Sequence, residues 1–191
     1  TTGGRMAATL QPMDGLEITT GVDGFDSPHD KRMGTPAMPY QNQARVRDAK
    51  LRNWGWFAES AWQASTRTRW VAGLRLDQSD AWRYGATMTE HRSEDWLPSG
   101  FVRWEHTLAQ GTTVYAGLGH VQRFADYWEL ISPGNSAADK GNAFQHLQPE
   151  KTTQLDVGAQ WKSDRAQAWA SAYVGRVQDY ILFDYAGMAS Q

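Results

Sequence analysis

Seven stretches of this sequence alternate apolar and polar side chains over about ten residues or more, which is the two-residue period of a β-strand with one apolar face. In residues 69–79, the most regular of them, tryptophan, alanine and leucine occupy one side, and glycine, arginine and aspartate the other. Soluble strands usually have about five or six residues, whereas about 9–11 tilted residues cross a bilayer. The length of these stretches therefore favours strands that cross a membrane.

The connections between these stretches alternate between short and long. The seven predicted strands are 16–25, 51–64, 69–79, 96–107, 112–123, 151–161 and 167–183. Short polar turns follow the second, fourth and sixth strands. Long polar loops follow the first, third and fifth strands, at 26–48, 80–94 and 124–147. Antiparallel neighbours joined in this way place the tight turns at one end and the long loops at the other, as in outer-membrane barrels. We therefore predict an all-β fold, an antiparallel transmembrane β-barrel segment.

Seven strands do not make a complete barrel wall. Bacterial single-chain barrels have an even number of strands, from about 8 upward, and an open sheet edge in lipid leaves backbone groups without hydrogen-bond partners. We therefore expect this chain to supply about seven consecutive strands of a larger barrel.

Tryptophan is unusually abundant, with ten in 191 residues. Barrel walls carry girdles of aromatic residues at both membrane interfaces, but tryptophan also stacks on sugars in soluble proteins. Because the tryptophans recur at predicted strand ends, we assign six to a membrane girdle in contact with outer-membrane lipid: Trp54, Trp56, Trp62, Trp70, Trp104 and Trp161. A soluble β-sandwich module that binds carbohydrate is the alternative from another class.

Charged side chains lie opposite the apolar face in the middle of several strands. In a barrel they would line the lumen, and we assign this position to Glu59, Arg75, Asp77, Arg103, Glu105 and Asp156. In the last strand, Tyr173 and Val177 are taken to be apolar-face residues opposite Arg176. The net charge of −2 gives no reason to expect nucleic acid as a partner.

Several functional classes find no support in the sequence. Cysteine is absent, which excludes disulfides and thiolate metal sites, and no stretch of eighteen apolar residues could form a transmembrane helix. G-x-S-x-G, H-E-x-x-H and Walker-type motifs are also absent, so we do not expect an enzyme. A trio of His120, Asp126 and Ser132 could be assembled on paper, as in most chains of this size.

One group of residues in the first long loop could bind a soft metal ion. Copper(I) favours thioether and imidazole ligands. His29, Met33 and Met38 are such residues, and we predict them as a candidate metal site at the loop end of the barrel. The alternative is a polar loop in which the methionines have no such role.

Three segments resemble TonB-dependent outer-membrane receptors: 115–130 (YAGLGHVQRFADYWEL), 147–158 (LQPEKTTQLDVG) and 179–185 (DYILFDY). The shorter segments 55–59 (GWFAE) and 72–77 (AGLRLD) fit the same family. The first segment is similar to the copper-receptor branch. The matching segments are spread over roughly residues 50–185, and residues 1–48 are compatible with the family.

The resemblance implies a barrel of about 22 strands with an N-terminal plug domain inside it. It implies that residues 1–191 are part of the barrel domain, without the plug, in the outer membrane of a Gram-negative cell. The receptor would bind a scarce nutrient and be driven through its plug by the TonB complex. The branch implies copper as the transported ligand, with no resident cofactor, and a siderophore or another nutrient is the alternative. Arg123 is expected to point inward and to pair with a lumen carboxylate.

Overall fold

The computed structural model describes residues 1–32, 37–84, 90–109, 111–130 and 147–181. Eight strands form one antiparallel sheet in chain order, which confirms the predicted fold class. The strands are β1 Thr2–Met13, β2 Leu16–Lys31, β3 Val46–Gln63, β4 Thr68–Tyr84, β5 Glu90–Thr107, β6 Thr112–Arg123, β7 Glu150–Lys162 and β8 Gln167–Gln178. A 3-10 turn covers Tyr40–Asn42, and one helical turn, α1, covers Tyr127–Leu130. Among the described residues, no helix is long and apolar enough to cross a membrane.

The sheet has one strand more than the sequence predicts, because β1 precedes the first predicted strand. In β1 the apolar residues alternate with small residues as well as polar ones, and this gives only a weak alternation of apolar and polar side chains. The signal lies in the turn between β1 and β2, where Asp14 precedes Gly15. Gly15 has a φ of 76°, the left-handed conformation that a tight hairpin turn requires and that glycine adopts without strain. An Asp-Gly pair is a hairpin signal, and it accounts for β1.

The predicted loop 26–48 is wrong at both ends. β2 continues to Lys31 and β3 begins at Val46, so the described connection is shorter than expected. Pro28 lies within β2 and is paired with Lys50 of β3. β1 pairs with β2 only as far as Asp26. Pro28 therefore lies at an edge of the sheet on the β1 side, where a strand tolerates proline.

The predicted loop 80–94 is also wrong, since β4 extends to Tyr84 and β5 begins at Glu90. The dense charges in this stretch pair across the two strands. Arg92 Nε donates to Asp80 Oδ1 at 3.0 Å, and Gln78 Nε2 donates to Glu94 Oε1 at 2.8 Å. Opposite charges on neighbouring strands stabilise the ladder, which is why a charged stretch here is sheet.

Tryptophans mark both ends of the apolar face. Trp62, Trp70 and Trp104 share one ladder row near the tight turns. Eight residues toward the loops along β3, Trp54 shares a row with Trp96. Eight residues of extended strand span about 26 Å, and about 20 Å of height once the strand is tilted by about 40°. The two rows are therefore separated by roughly the height of a barrel's apolar band.

The apolar band shifts toward the turn end from β3 to β7. The ladder row of Trp62 in β3 reaches Val157 in β7. The tryptophan of β7, Trp161, lies four residues beyond Val157 toward the turn end. Four residues over four strand spacings are about 13 Å along the strands for about 19 Å across them, a tilt of about 35°. Strands of transmembrane barrels have this tilt.

The predicted faces of β8 are reversed. Tyr173 pairs with Asp156 on the polar face, and Val174 pairs with Leu155 on the apolar face. Arg176 therefore lies on the apolar side of the sheet, in the row of Thr153. Alternating alanines precede these residues and fit either face, so the sequence of β8 leaves its register to be determined by pairing with β7.

Candidate functional site

The register places the six charged residues assigned to the lumen on one face of the sheet, which we call the polar face. They are Glu59, Arg75, Asp77, Arg103, Glu105 and Asp156. The six girdle tryptophans lie on the opposite, apolar face.

Arg75 is held between two carboxylates at the centre of the polar face. Its Nη2 donates to Asp23 Oδ1 at 2.7 Å and to Asp77 Oδ1 at 2.6 Å, while Nη1 and Nε make second bonds to the same two aspartates. Arg75 is in β4 and Asp23 in β2, so the guanidinium passes over β3. It does so above Gly55, where a Cβ would collide with Nη2. Side chains of the polar face therefore converge over glycine, as on the inside of a curved wall.

The same packing recurs toward the turn end. The Asp156 carboxylate covers Gly117, and the guanidinium of Arg103 lies 4.1 Å from the centre of the Tyr115 ring. Arg103 Nε is 2.9 Å from Glu105 Oε1. Glu59 and Asp156 have no ion-pair partner within the described residues.

Between these groups lies an open cavity of about 440 Å³. Its lining includes Arg5, Phe57, Glu59, Arg75, Phe101 and Asp156. The Arg5 guanidinium lies 4.4 Å from the centre of the Phe57 ring. The cavity is thus apolar at its floor, and two of its lining carboxylates, Glu59 and Asp156, form no ion pair within the described residues.

A short helical turn lies at the loop end of this face, inside the predicted loop 124–147. Asp126 Oδ1 accepts a hydrogen bond from Glu129 N–H at 2.9 Å, and Glu129 Oε2 accepts one from Asp126 N–H at 2.7 Å. This is a capping box, which satisfies the free N–H groups at a helix start. The Asp-x-x-Glu spacing was the sequence signal for α1, and the strand pattern alone does not reveal it.

We call residues 124–130 the mouth strap, because it docks α1 onto the loop ends of β2 and β3. The Tyr127 hydroxyl donates to Asp48 Oδ2 at 2.8 Å, and its ring stacks on His29 with centroids 4.2 Å apart. Lys31 Nζ forms an ion pair with the same Asp48. Asp48 lies where the pairing of β2 and β3 shifts register, which turns its side chain toward the strap.

The hydroxyl of Tyr127 stays protonated over the physiological range. Burial and the hydrogen bond to Asp48 raise the pKa of Tyr127 to about 12. The phenol therefore remains a hydrogen-bond donor to Asp48.

Arg123, which we expected to point inward and to pair with a lumen carboxylate, anchors the other side of the mouth strap. Arg123 Nη1 donates to Glu129 Oε2 at 2.7 Å, and Nη2 lies 3.2 Å from Glu150 Oε2. Burial alone would raise the pKa of Glu129, but the hydrogen bonds from Arg123 and from the Asp126 N–H outweigh burial and lower it.

This lowered pKa predicts that acid weakens the docking of the mouth strap. The carboxylate of Glu129 stabilises docking fully above its unfolded pKa of about 4.3, and the contribution is lost as pH falls through the lower folded value. Arg123, Asp126 and Glu150 are the charged groups around it. We expect Trp128 fluorescence of the full-length protein to change as the pH falls below about 4.3. A Glu129→Gln variant should show no such transition, and an identical transition in both proteins would contradict the prediction.

The candidate metal residues are only partly placed. His29 stacks on Tyr127, and its Nε2 lies 3.3 Å from Ser27 Oγ. Met38 is 57% exposed in the connection between β2 and β3, whereas Met33 lies outside the described residues. Within the described ranges, no three His, Asp or Glu side chains form a group that could hold a metal ion.

The trio considered for catalysis is not assembled by the described residues. His120 lies on the apolar face, where its Nδ1 is 2.8 Å from Thr153 Oγ1. Asp126 caps α1, and Ser132 lies outside the described residues.

Comparisons with known proteins agree with this architecture. Residues 4–191 match a family model described as "TonB dependent receptor-like, beta-barrel". A solved structure titled "Copper transporter OprC" is 42% identical, with a TM-score of 0.82 over 93% of this chain and 30% of that chain. The siderophore receptor PiuA from Acinetobacter baumannii is 11% identical, with a TM-score of 0.63 over 90% of this chain and 30% of that one. Among curated proteins, no sequence matches the chain significantly.

Proposed function

This chain belongs to the TonB-dependent receptor β-barrel family, and on that premise we propose that it forms part of the barrel wall of an outer-membrane receptor that imports copper. The observation that carries the choice of copper is the 42% identity to OprC across 93% of the chain. The likeness to PiuA supports the fold alone, at 11% identity. The chain spans 30% of both solved proteins, so the transport activity is proposed for the whole receptor.

In this proposal the apolar face contacts lipid and the polar face encloses the lumen. The tilt of about 35° and the two tryptophan rows support the first half, because both are features of barrel walls. The position of Arg75 directly over Gly55 supports the second half, because side chains crowd over glycine where a wall curves inward. A plug domain driven by the TonB complex would occupy that interior.

Copper enters the proposal as transported cargo and not as a resident cofactor. His29 and Met38 bring an imidazole and a thioether to the same end of the sheet, and Met33 is the third member of the proposed set. These are ligands that copper(I) accepts in the absence of cysteine. Loop-end residues would then be the first to meet an ion that arrives from outside the cell.

The test uses the full-length receptor in its native membrane and in purified form. It should fractionate with the outer membrane and show heat-modifiable migration, as a barrel does. Titration calorimetry should detect binding of copper and no binding of a ferric siderophore. Siderophore binding without copper binding would contradict the copper proposal, and a soluble periplasmic protein would contradict the receptor itself.

A further inference from the structure

A helical turn in the connection after β6 fixes a histidine near the loop end of β2. The rings of Tyr127 and His29 lie 4.2 Å apart with their planes 6° from parallel. The Tyr127 hydroxyl donates to Asp48 Oδ2 at 2.8 Å. Tyr127 is therefore held at its oxygen while its ring face covers the imidazole, which fixes the plane of His29.

The mouth strap has anchors that do not involve His29. Arg123 joins Glu129 of α1 to Glu150 of β7. Ala125 and Leu130 are buried in one cluster with Ala81 of β4. These contacts hold α1 in place from the β4, β6 and β7 side, so the position of Tyr127 does not depend on the histidine that it contacts.

The edge of the imidazole is oriented as well. His29 Nε2 lies 3.3 Å from Ser27 Oγ, which is itself 2.7 Å from Thr1 Oγ1. No residue in the described ranges makes a hydrogen bond to Nδ1 of this ring. When Nε2–H donates to Ser27, Nδ1 keeps its lone pair. Hydrogen bonds of this kind fix the tautomer and orientation of histidines that bind metals.

We propose that Tyr127 is a positioning residue for His29, which it holds with Nδ1 available to copper(I) at the loop end of the receptor. The metal in this inference rests on the proposed function, whereas the positioning does not. A side chain that is already ordered loses less conformational freedom when it binds, so a fixed imidazole binds more tightly than a free one. Through Tyr127, the mouth strap thereby influences how tightly His29 of β2 binds the metal ion.

The test compares Tyr127→Ala with Trp128→Ala in the full-length receptor. Trp128 is the matched control, because it is the next residue in the same turn, is 66% exposed and meets Tyr127 only edge-on. Without metal, the modification of His29 by diethyl pyrocarbonate, followed by mass spectrometry, should be several-fold faster in Tyr127→Ala only. Competition with a chromophoric chelator should show copper(I) affinity reduced about tenfold in Tyr127→Ala and in His29→Ala, but unchanged in Trp128→Ala.

An unchanged modification rate of His29 in Tyr127→Ala would overturn the inference. So would unchanged copper(I) affinity in both Tyr127→Ala and His29→Ala. If the wild-type receptor binds no copper(I), the proposed function fails together with the metal half, while the modification rate still decides the positioning half. Heat-modifiable migration verifies that each variant is folded. Asp48→Asn, which weakens the acceptor of the Tyr127 hydroxyl, replaces Tyr127→Ala if that variant does not assemble.

Discussion

Replacement of Leu74 by arginine is expected to destabilise the full barrel by about 2–4 kcal/mol, the cost of a cation near the bilayer midplane on the lipid face of a barrel. Leu74 lies on the apolar face of β4, midway between the rows of Trp54 and Trp62, and is 74% exposed in this sheet. Its exposure fits a lipid contact, because the described residues leave most of its side chain uncovered. The measurement is equilibrium unfolding in lipid vesicles.

Gln78→Arg provides the matched control for Leu74→Arg. Gln78 lies on the same face of the same strand, but in the row of Trp54 and Trp96 at the edge of the band. An arginine at the interface reaches the polar headgroups, so the cost there should be about 0–1 kcal/mol. Equal effects at the two positions would contradict the depth assignment, and no effect at Leu74 would contradict its contact with lipid.

Replacement of Arg75 by methionine is expected to cost about 2–3 kcal/mol, because it leaves Asp23 and Asp77 close together with no cation between them. Breaking a fully buried pair costs about 3–5 kcal/mol, and a smaller value applies here because the Arg75 side chain is 35% exposed. Methionine keeps most of the length of the arginine stem, so the loss reports mainly on charge. Unfolding of the full-length receptor in vesicles measures it.

Arg103→Met is the matched control for Arg75→Met. Arg103 is on the same face, is 44% exposed and pairs with one acid, Glu105. Its loss should cost less than about 1 kcal/mol. Adding Asp77→Asn to Arg75→Met should recover part of the stability by removing one unpaired charge. A double variant as unstable as the single one would show that the two carboxylates do not repel each other.

The repeating part of the fold follows from the sequence, because a strand with one apolar face has a two-residue period that the sequence displays directly. The central residues of β4 illustrate this, with Leu74 and Arg75 on opposite faces as predicted. The pattern fails where both faces are polar. At Asp80 and Arg92 the charges belong to paired strands that extend beyond the apolar band, and only the partner strand reveals that they are not in a loop.

The candidate site was less predictable, because its contacts join residues far apart in the chain. Asp48 receives Tyr127 only because β3 shifts register at that point, and no local pattern marks the shift. The capping box of α1 was readable from Asp126 and Glu129. The docking of α1 onto His29 depends on the fold, which places the C-terminal ends of β2 and β6 at the same end of the sheet.

The most direct test of the central claim places nitroxide labels at Leu74, Arg75, Val157 and Asp156 of the full-length receptor in vesicles. Labels at Leu74 and Val157 should be accessible to oxygen dissolved in the bilayer and protected from a water-soluble nickel chelate. Labels at Arg75 and Asp156 should lack the high oxygen accessibility of lipid-facing sites. The reverse pattern, with water at Leu74 and Val157 and hydrocarbon at Arg75 and Asp156, would contradict the assignment of the two faces and the barrel that depends on it.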